Sequence, residues 1–207
     1  MSELREKIIQ SSLQLFSEKG FHGVTVRDIV EHCQTSKGGF YHHFKSKDEL
    51  LYVIHDTFVS YVLNEANQAK KRYHQPVHQL HEMLKSLVRV YDLYNQHIVV
   101  FNQEYNYLKQ EYYQLIKEKR DSYEEILKGV IREGQRDGDI RIELPTTVTT
   151  MSILGMVNWT YQWYKKDGPK TIDQIASTYI DIIFKGLLTE KAIKEYQLSK
   201  LSKELKF

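Results

Sequence analysis

The stretch with the most chemistry per residue is Ser36-Lys37-Gly38-Gly39-Phe40-Tyr41-His42-His43-Phe44-Lys45-Ser46-Lys47. Aromatic, imidazole and ammonium groups crowd together here beside two adjacent glycines, and no carboxylate interrupts them. Tyr41, His43 and Lys47 are all hydrogen-bond donors, a set suited to phosphate oxygens. His42 and His43 are neighbours on a helix and point about 100° apart, too far to share a metal readily. His43 is therefore read as a donor to phosphate, with His42 flanking it. A helix opening at Lys47 adds the positive end of its dipole to the same place.

Three short amphipathic segments must hold that stretch. Residues 3–19 place Leu4, Ile8 and Leu15 on one face with Phe16 beside them, the period of a helix. Gly20 can take the left-handed conformation that ends it. Thr25, with Asp28 three residues on, opens a second helix over 26–33, close to a capping box. Ser36 caps a brief third helix over 36–43, anchored by Phe40 and Phe44 at i and i+4. Ser46 with Glu49 forms another box before a long helix over 47–72. Paired helices joined by a tight turn form a helix-turn-helix pattern, whose second helix offers its N-terminal residues to base edges in the major groove. Lys37, Gly38 and Gly39 occupy that position. Each glycine lowers helix propensity by roughly 1 kcal/mol against alanine, intelligible where backbone must lie close to DNA. The plainer alternative is an ordinary Gly-Gly turn beside a rim of core aromatics. Residues 1–48 hold seven Lys/Arg against six Asp/Glu, so no basic patch decides between them.

The chain has 207 residues, 41% hydrophobic and 27% charged, which suits a folded protein with one large domain or a small domain plus a larger one. The net charge of +2 neither requires nor excludes nucleic acid. No run reaches the ~18 apolar residues of a membrane span, and the N-terminus carries Glu3, Arg5, Glu6 and Lys7 rather than a signal-peptide core. A cytoplasmic protein with no membrane partner is expected, and the single Cys33 fits a reducing compartment. All 15 tyrosines lie after residue 40, and tyrosine suits wet pockets and interfaces.

Past a break at Gln75-Pro76, helices are expected from Pro76, over 109–134, over 145–166 and from Thr171. The 145–166 segment is apolar nearly all round, which fits burial against a core or pocket on one face and a partner subunit on the other. His74, His78 and His81 have a spacing that could gather on a metal, but His74 precedes Pro76 and lies outside the helix; no metal is expected. Residues 189–207 read as an extra lysine-rich helix.

Residues from about Ile8 to Leu51 resemble the DNA-binding domain of TetR-family regulators. The likeness rests on Leu15-Phe16, Gly20-Phe21, Gly23-Val24-Thr25-Val26, Asp28-Ile29, Ser36-Lys37-Gly38 and above all the run from Phe40 to Leu51. It implies an all-α homodimer, with a helix-turn-helix domain over 1–48 and a ligand-binding and dimerisation domain over 49–207. It also implies that Arg27 and Lys37 make base or backbone contacts on double-stranded operator DNA. Thr25, Thr35, Ser36, Gly39, Tyr41, His43 and Lys47 would hold phosphates, with Gly38 and His42 in the same interface. Gly39 stands where relatives often carry threonine, so a backbone N–H would have to serve there.

The segment Gly155–Gly168 is similar to that of a TetR-family subset repressing fatty-acid, sterol and phenylacetate breakdown, whose inducer is an acyl-CoA. This implies a small apolar ligand and no bound cofactor. Trp159, Trp163, Phe101 and Met156 would line an apolar tunnel, Asn158, Tyr161 or Tyr105 would meet pantetheine amides, and Arg89, Lys165 and Lys166 are candidate cations for the CoA phosphates. Core or dimer packing explains Trp159 and Trp163 equally well. The competing classes are a sensor of drugs or other hydrophobic ligands with the same fold, a helical protein-interaction scaffold, and an enzyme. No Ser/His/Asp order or Gly-rich phosphate loop supports the last.

Overall fold

The computed structural model describes residues 3–196. Its helices are α1 Glu3–Lys19, α2 Val26–His32, α3 Lys37–His43, α4 Lys47–Arg72, α5 Pro76–Leu93, α6 Asn95–Glu104, α7 Gln110–Arg136, α8 Thr146–Asn158, α9 Thr160–Trp163 and α10 Ile172–Leu187, with a 3-10 turn at Tyr105–Tyr107. A further helical stretch covers 190–196; the rest of the expected C-terminal helix, 197–207, lies outside the described residues. Among the described residues no strand forms, only an isolated antiparallel bridge between Ile140 and Leu188. No helix among them is long and apolar enough to cross a membrane. The fold is all-α.

The chain divides into two compact units, one of Met1–Tyr61 and Tyr94–Arg120, the other of Val62–Leu93 and Asp121–Phe207. The first is built around Ile8, Leu13, Phe16, Ile29, Phe40 and Leu50, all essentially inaccessible. Its boundaries follow local chemistry. Gly20 ends α1 at φ +71° and donates its N–H to Phe16 O. Cys33 ends α2, Gln34 turns at φ +54°, and the N–H groups of Gln34 and Thr35 return to Glu31 O and Val30 O. This is a Schellman closure, with glutamine where glycine is commoner. The box expected at Ser46 is displaced: Ser46 Oγ accepts from Glu49 N–H, but the Glu49 carboxylate reaches Lys45 N–H instead of the cap's own. Val100 of α6 enters the same core, and α6 packs along α1.

In the second unit α5 and α10 pack together. Leu80, Met83, Leu84 and Val88 of α5 and Ile175, Ile180, Ile183, Phe184 and Leu187 of α10 are buried. Thr171 and Gln174 form the expected capping box of α10. The single helix expected over 145–166 is not formed: α8 stops at Asn158 and α9 lasts one turn. Tertiary hydrogen bonds account for the break. Thr160 Oγ1 lies 3.1 Å from the Tyr179 hydroxyl, and Tyr164 donates to Asp92 Oδ1 at 2.6 Å. The two bonds tie the chain to α10 and α5 and outweigh the propensity of an unbroken apolar helix. Within one chain α8 buries Thr150, Ile153 and Val157 and leaves Val148 and Met151 exposed.

Candidate nucleic-acid interface

Phe40 commits one side of α3 to the core, with the following Phe44, and leaves Lys37, Gly38, Tyr41 and His42 on the outer side. Tyr41 is 53% exposed, its ring edge-on to Phe40. His42 and His43 rings lie 4.8 Å apart. Ser36 caps the helix by accepting the Gly39 N–H at 3.0 Å. That donor is therefore engaged in the free protein, unlike the open N–H that a phosphate contact at Gly39 requires. A Cβ on residue 39 would stand 2.6 Å from Thr35 Oγ1 and 3.4 Å from Leu4 Cδ2, so glycine here lets α3 close on the turn before it. Gly38 differs: a Cβ there would meet only Ser36 Oγ, at an ordinary 3.6 Å. Nothing among the described residues requires glycine at 38.

On α2, Thr25 and Asp28 bind one another. Asp28 Oδ2 accepts from Thr25 N–H at 2.7 Å and from its hydroxyl at 2.6 Å, and the Asp28 N–H returns to Thr25 Oγ1 at 3.2 Å. These bonds hold the Asp28 carboxyl below its ordinary range. Arg27 is outward and donates to Glu31 at 2.7 Å. Glu31, absent from the sequence-level site, sits one turn along at a spacing that reveals it. A DNA contact by Arg27 would have this carboxylate to displace.

Lys47 is the residue that the structure places most differently from its expected role. Its ammonium donates to Phe21 O at 2.7 Å and Val24 O at 2.5 Å and lies 4.2 Å from the Phe21 ring centroid. Burial draws its pKa down, against Asp48, Asp28 and Glu104. Two of its three donors thus join α4 to the α1–α2 loop, a positioning task rather than a phosphate clamp. Lys47→Met will destabilise the protein by roughly 1–3 kcal/mol, the cost of two carbonyls left unmet. The slope of log affinity against log salt will stay within about 0.5 of wild type, whereas a lost phosphate contact removes close to one. Gel shifts over a salt series measure it.

The expected ligand residues fall in both units. In the first, Phe101 and Tyr105 are 4.7 Å apart by ring centroid, with Arg120 over both rings. His55, fully buried, lies against Phe101 at 5.0 Å, and neither ring nitrogen has a partner. In the second, Arg89 is held by Asp173 at 2.6 Å, and Asn158 accepts from the Tyr91 hydroxyl at 3.2 Å. Trp159, Tyr161 and Trp163 are exposed, by 62%, 39% and 47%, and Met156 is half-buried. Trp163 lines an open cavity of about 670 Å³ with Asp173, Ile175 and Tyr179, and neither tryptophan is enclosed among the described residues. Sequence reasoning passed over His55, Tyr91 and Tyr123, whose buried polar atoms emerge only when their surroundings are traced. Among the described residues no three metal-ligating side chains gather.

Caps, Schellman turn and outward α3 together define a helix-turn-helix DNA-binding head. Residues 8–53 match the model of bacterial regulatory proteins of the tetR family, and 73–187 match the tetracyclin repressor-like C-terminal domain. The chain belongs to the TetR family of DNA-binding transcriptional regulators, which act by binding and not by catalysis. It is 22% identical over 191 residues to the HTH-type transcriptional repressor KstR2 of Mycolicibacterium smegmatis, covering 92% of this chain and 93% of the relative. The fold is shared with KstR2 of Mycobacterium tuberculosis, a ketosteroid transcriptional regulator: TM-score 0.82, 21% identity, 92% and 97% of the two chains covered. AibR in complex with isovaleryl coenzyme A and operator DNA superposes with TM-score 0.74 at 25% identity, over 88% and 98% of the chains.

Proposed function

We propose that the protein is a homodimeric repressor that grips operator DNA through α2 and α3 and lets go when a small apolar effector, best represented by an acyl-CoA, binds it. The observation that carries the DNA contact is the outward strip Lys37, Gly38, Tyr41 and His42, whose backbone is open at Gly38. Arg27 and Lys37 face bases or backbone; Tyr41 and His43, with Thr25, Thr35 and Ser36 around them, face phosphates. Repression follows the KstR2 relatives, and the acyl-CoA follows AibR, whose complex holds both isovaleryl coenzyme A and operator DNA. The second copy covers the apolar residues that α8, α9 and α10 leave bare. Coupling has a physical route inside the first unit. Phe101 is on α6, the helix whose Val100 belongs to the core of the head, and His22 and Tyr107 rings meet at 4.4 Å. An effector whose binding moves α6 biases the position of a helix on which the head is built, and shifts the population away from the DNA-binding arrangement.

The experiment is a gel shift with the palindromic fragment upstream of the gene, comparing wild type with Gly38→Ala. Alanine fits the free structure and favours helix by about 1 kcal/mol, so Tm holds or rises. On DNA the added methyl stands between backbone and groove, and affinity falls by roughly tenfold, the effect of about 1.4 kcal/mol of crowding. Wild-type protein that gives no shift even at low salt, where phosphate contacts are strongest, would end the proposal. Equal affinity of Gly38→Ala would end the close-approach geometry alone.

A further inference from the structure

The middle of α7 carries a polar group with nothing to bind. Tyr123 is 6% exposed, on the buried stripe with Leu127 and Val130, and its hydroxyl is enclosed without a hydrogen-bond partner. A phenylalanine would fill the same stripe with no such penalty, since an unmet buried hydroxyl costs about 1–3 kcal/mol. Tyr91 of α5 is close enough to raise the Tyr123 pKa further than burial alone, and it is itself raised by burial and by Tyr179 and Tyr161. Both phenols stay neutral. Tyr91 donates in turn to Asn158, which is exposed at the end of α8. Tyr91 and Asn158 thus carry neutral polar groups inward from the end of α8, and the Tyr123 hydroxyl stands unpartnered in the interior of the second unit.

Cations that flank these tyrosines in sequence are engaged elsewhere. Arg89, two residues before Tyr91, is held by Asp173 at 2.6 Å. Lys128, five residues after Tyr123, is held by Glu124 at 2.6 Å and Glu125 at 3.0 Å. Lys119 is likewise held by Asp56, and Arg120 lies against Tyr105. Among the described residues only burial and Tyr91 act on the Tyr123 hydroxyl, so a carboxylate brought there would leave water without a cation to meet it, which is strongly unfavourable. A neutral carbonyl oxygen needs only a donor, and the Tyr123 O–H is one.

We infer that Tyr123 donates its hydroxyl hydrogen to a neutral carbonyl oxygen of the effector, and that the site takes an uncharged acyl derivative (thioester, ester or amide) and rejects the free carboxylic acid of the same chain. This rests on the ligand-release reading above and names the chemical class its site selects.

Calorimetric titration of the full chain with octanamide, octanoate and octanoyl-CoA tests it. Octanamide will bind wild type at least about tenfold more tightly than octanoate at pH 7, and Tyr123→Phe will erase that preference without lowering Tm, because it removes an unmet hydroxyl. Tyr91→Phe, which leaves Tyr123 in place, will keep the preference. Octanoate binding as well as octanamide, or a preference that survives in Tyr123→Phe, would overturn the inference, and the second result would assign the hydroxyl to a buried water. Octanamide binding without octanoyl-CoA binding would overturn the CoA effector and leave the inference standing. Octanoyl-CoA binding equally to wild type and Tyr123→Phe would do the reverse.

Discussion

Lowering the pH from 7 to 5 will remove about 2 kcal/mol of stability, and most of that loss will disappear in His55→Leu. In the folded chain, burial and then the neighbouring His97 push the His55 pKa from 6.5 to about 3. In the unfolded chain the imidazole takes up a proton as the pH falls through its ordinary value. Above 6.5 both states are neutral and His55 contributes nothing to the balance. Below it the unfolded state gains a proton that the folded state refuses, so stability falls by about 1.4 kcal/mol per pH unit until the folded pKa is reached, for a total of roughly 4–5 kcal/mol. His97, also lowered by burial, adds a smaller slope of the same sign that survives in the variant. Carboxylates titrate mainly below this window. Urea unfolding midpoints at pH 7, 6 and 5, at one protein concentration because assembly shifts apparent stability, read the difference. At pH 7 the variant will lie within about 1.5 kcal/mol of wild type, since leucine removes two unmet nitrogens while changing the packing shape. Parallel pH profiles for the two proteins would show that His55 finds a proton partner when folded.

His55 also shows where sequence reading stops. The head was legible because its information is local. Thr25, Ser36, Gly20 and the Phe40–Phe44 pair each act within a few residues, and the sequence places them on the helix boundaries that α1, α2 and α3 adopt. Contacts across distance were not legible. Lys47 looks like a phosphate donor until its partners, Phe21 and Val24, are known. Arg89 looks like a free cation until Asp173, 84 residues away, claims it. The α8–α9 break has no glycine or proline to announce it; it follows from Tyr179 and Asp92 reaching Thr160 and Tyr164. An absent partner is harder still, because a histidine or tyrosine on an apolar stripe looks satisfied in any sequence. Only the traced surroundings distinguish His55 and Tyr123 from ordinary core residues.

For the homodimer proposed above, Met151→Asp combined with Ile182→Asp will leave the chain folded, make it monomeric, and cut operator affinity by 100-fold or more, on the order of the avidity that linked half-site binding supplies. The exposed residues decide where to cut. Val148, Met151 and Trp159 on α8 and its end, and Ile182 on α10, are 62%, 43%, 62% and 51% exposed. Val148, Ser152, Gly155 and Trp159 follow a helical repeat along one face, and a Cβ on Gly155 would meet nothing within 4 Å. Solvated apolar surface of this kind marks an interface, and small residues between the large ones admit a facing helix. Met151 and Ile182 support little within their own chain, so far-UV circular dichroism will not change. In a dimer each aspartate would bury an unpaired charge twice over, because a two-fold interface repeats every residue, and each burial is unfavourable by several kcal/mol. A single head on one half-site retains its phosphate contacts but loses the second head, which in the dimer arrives without a further encounter. Sedimentation velocity reads the assembly and gel shift the affinity, on the same preparations. A variant that stays dimeric would move the interface off α8 and α10, and a monomer that binds the full operator as tightly as wild type would mean that the two heads do not act together.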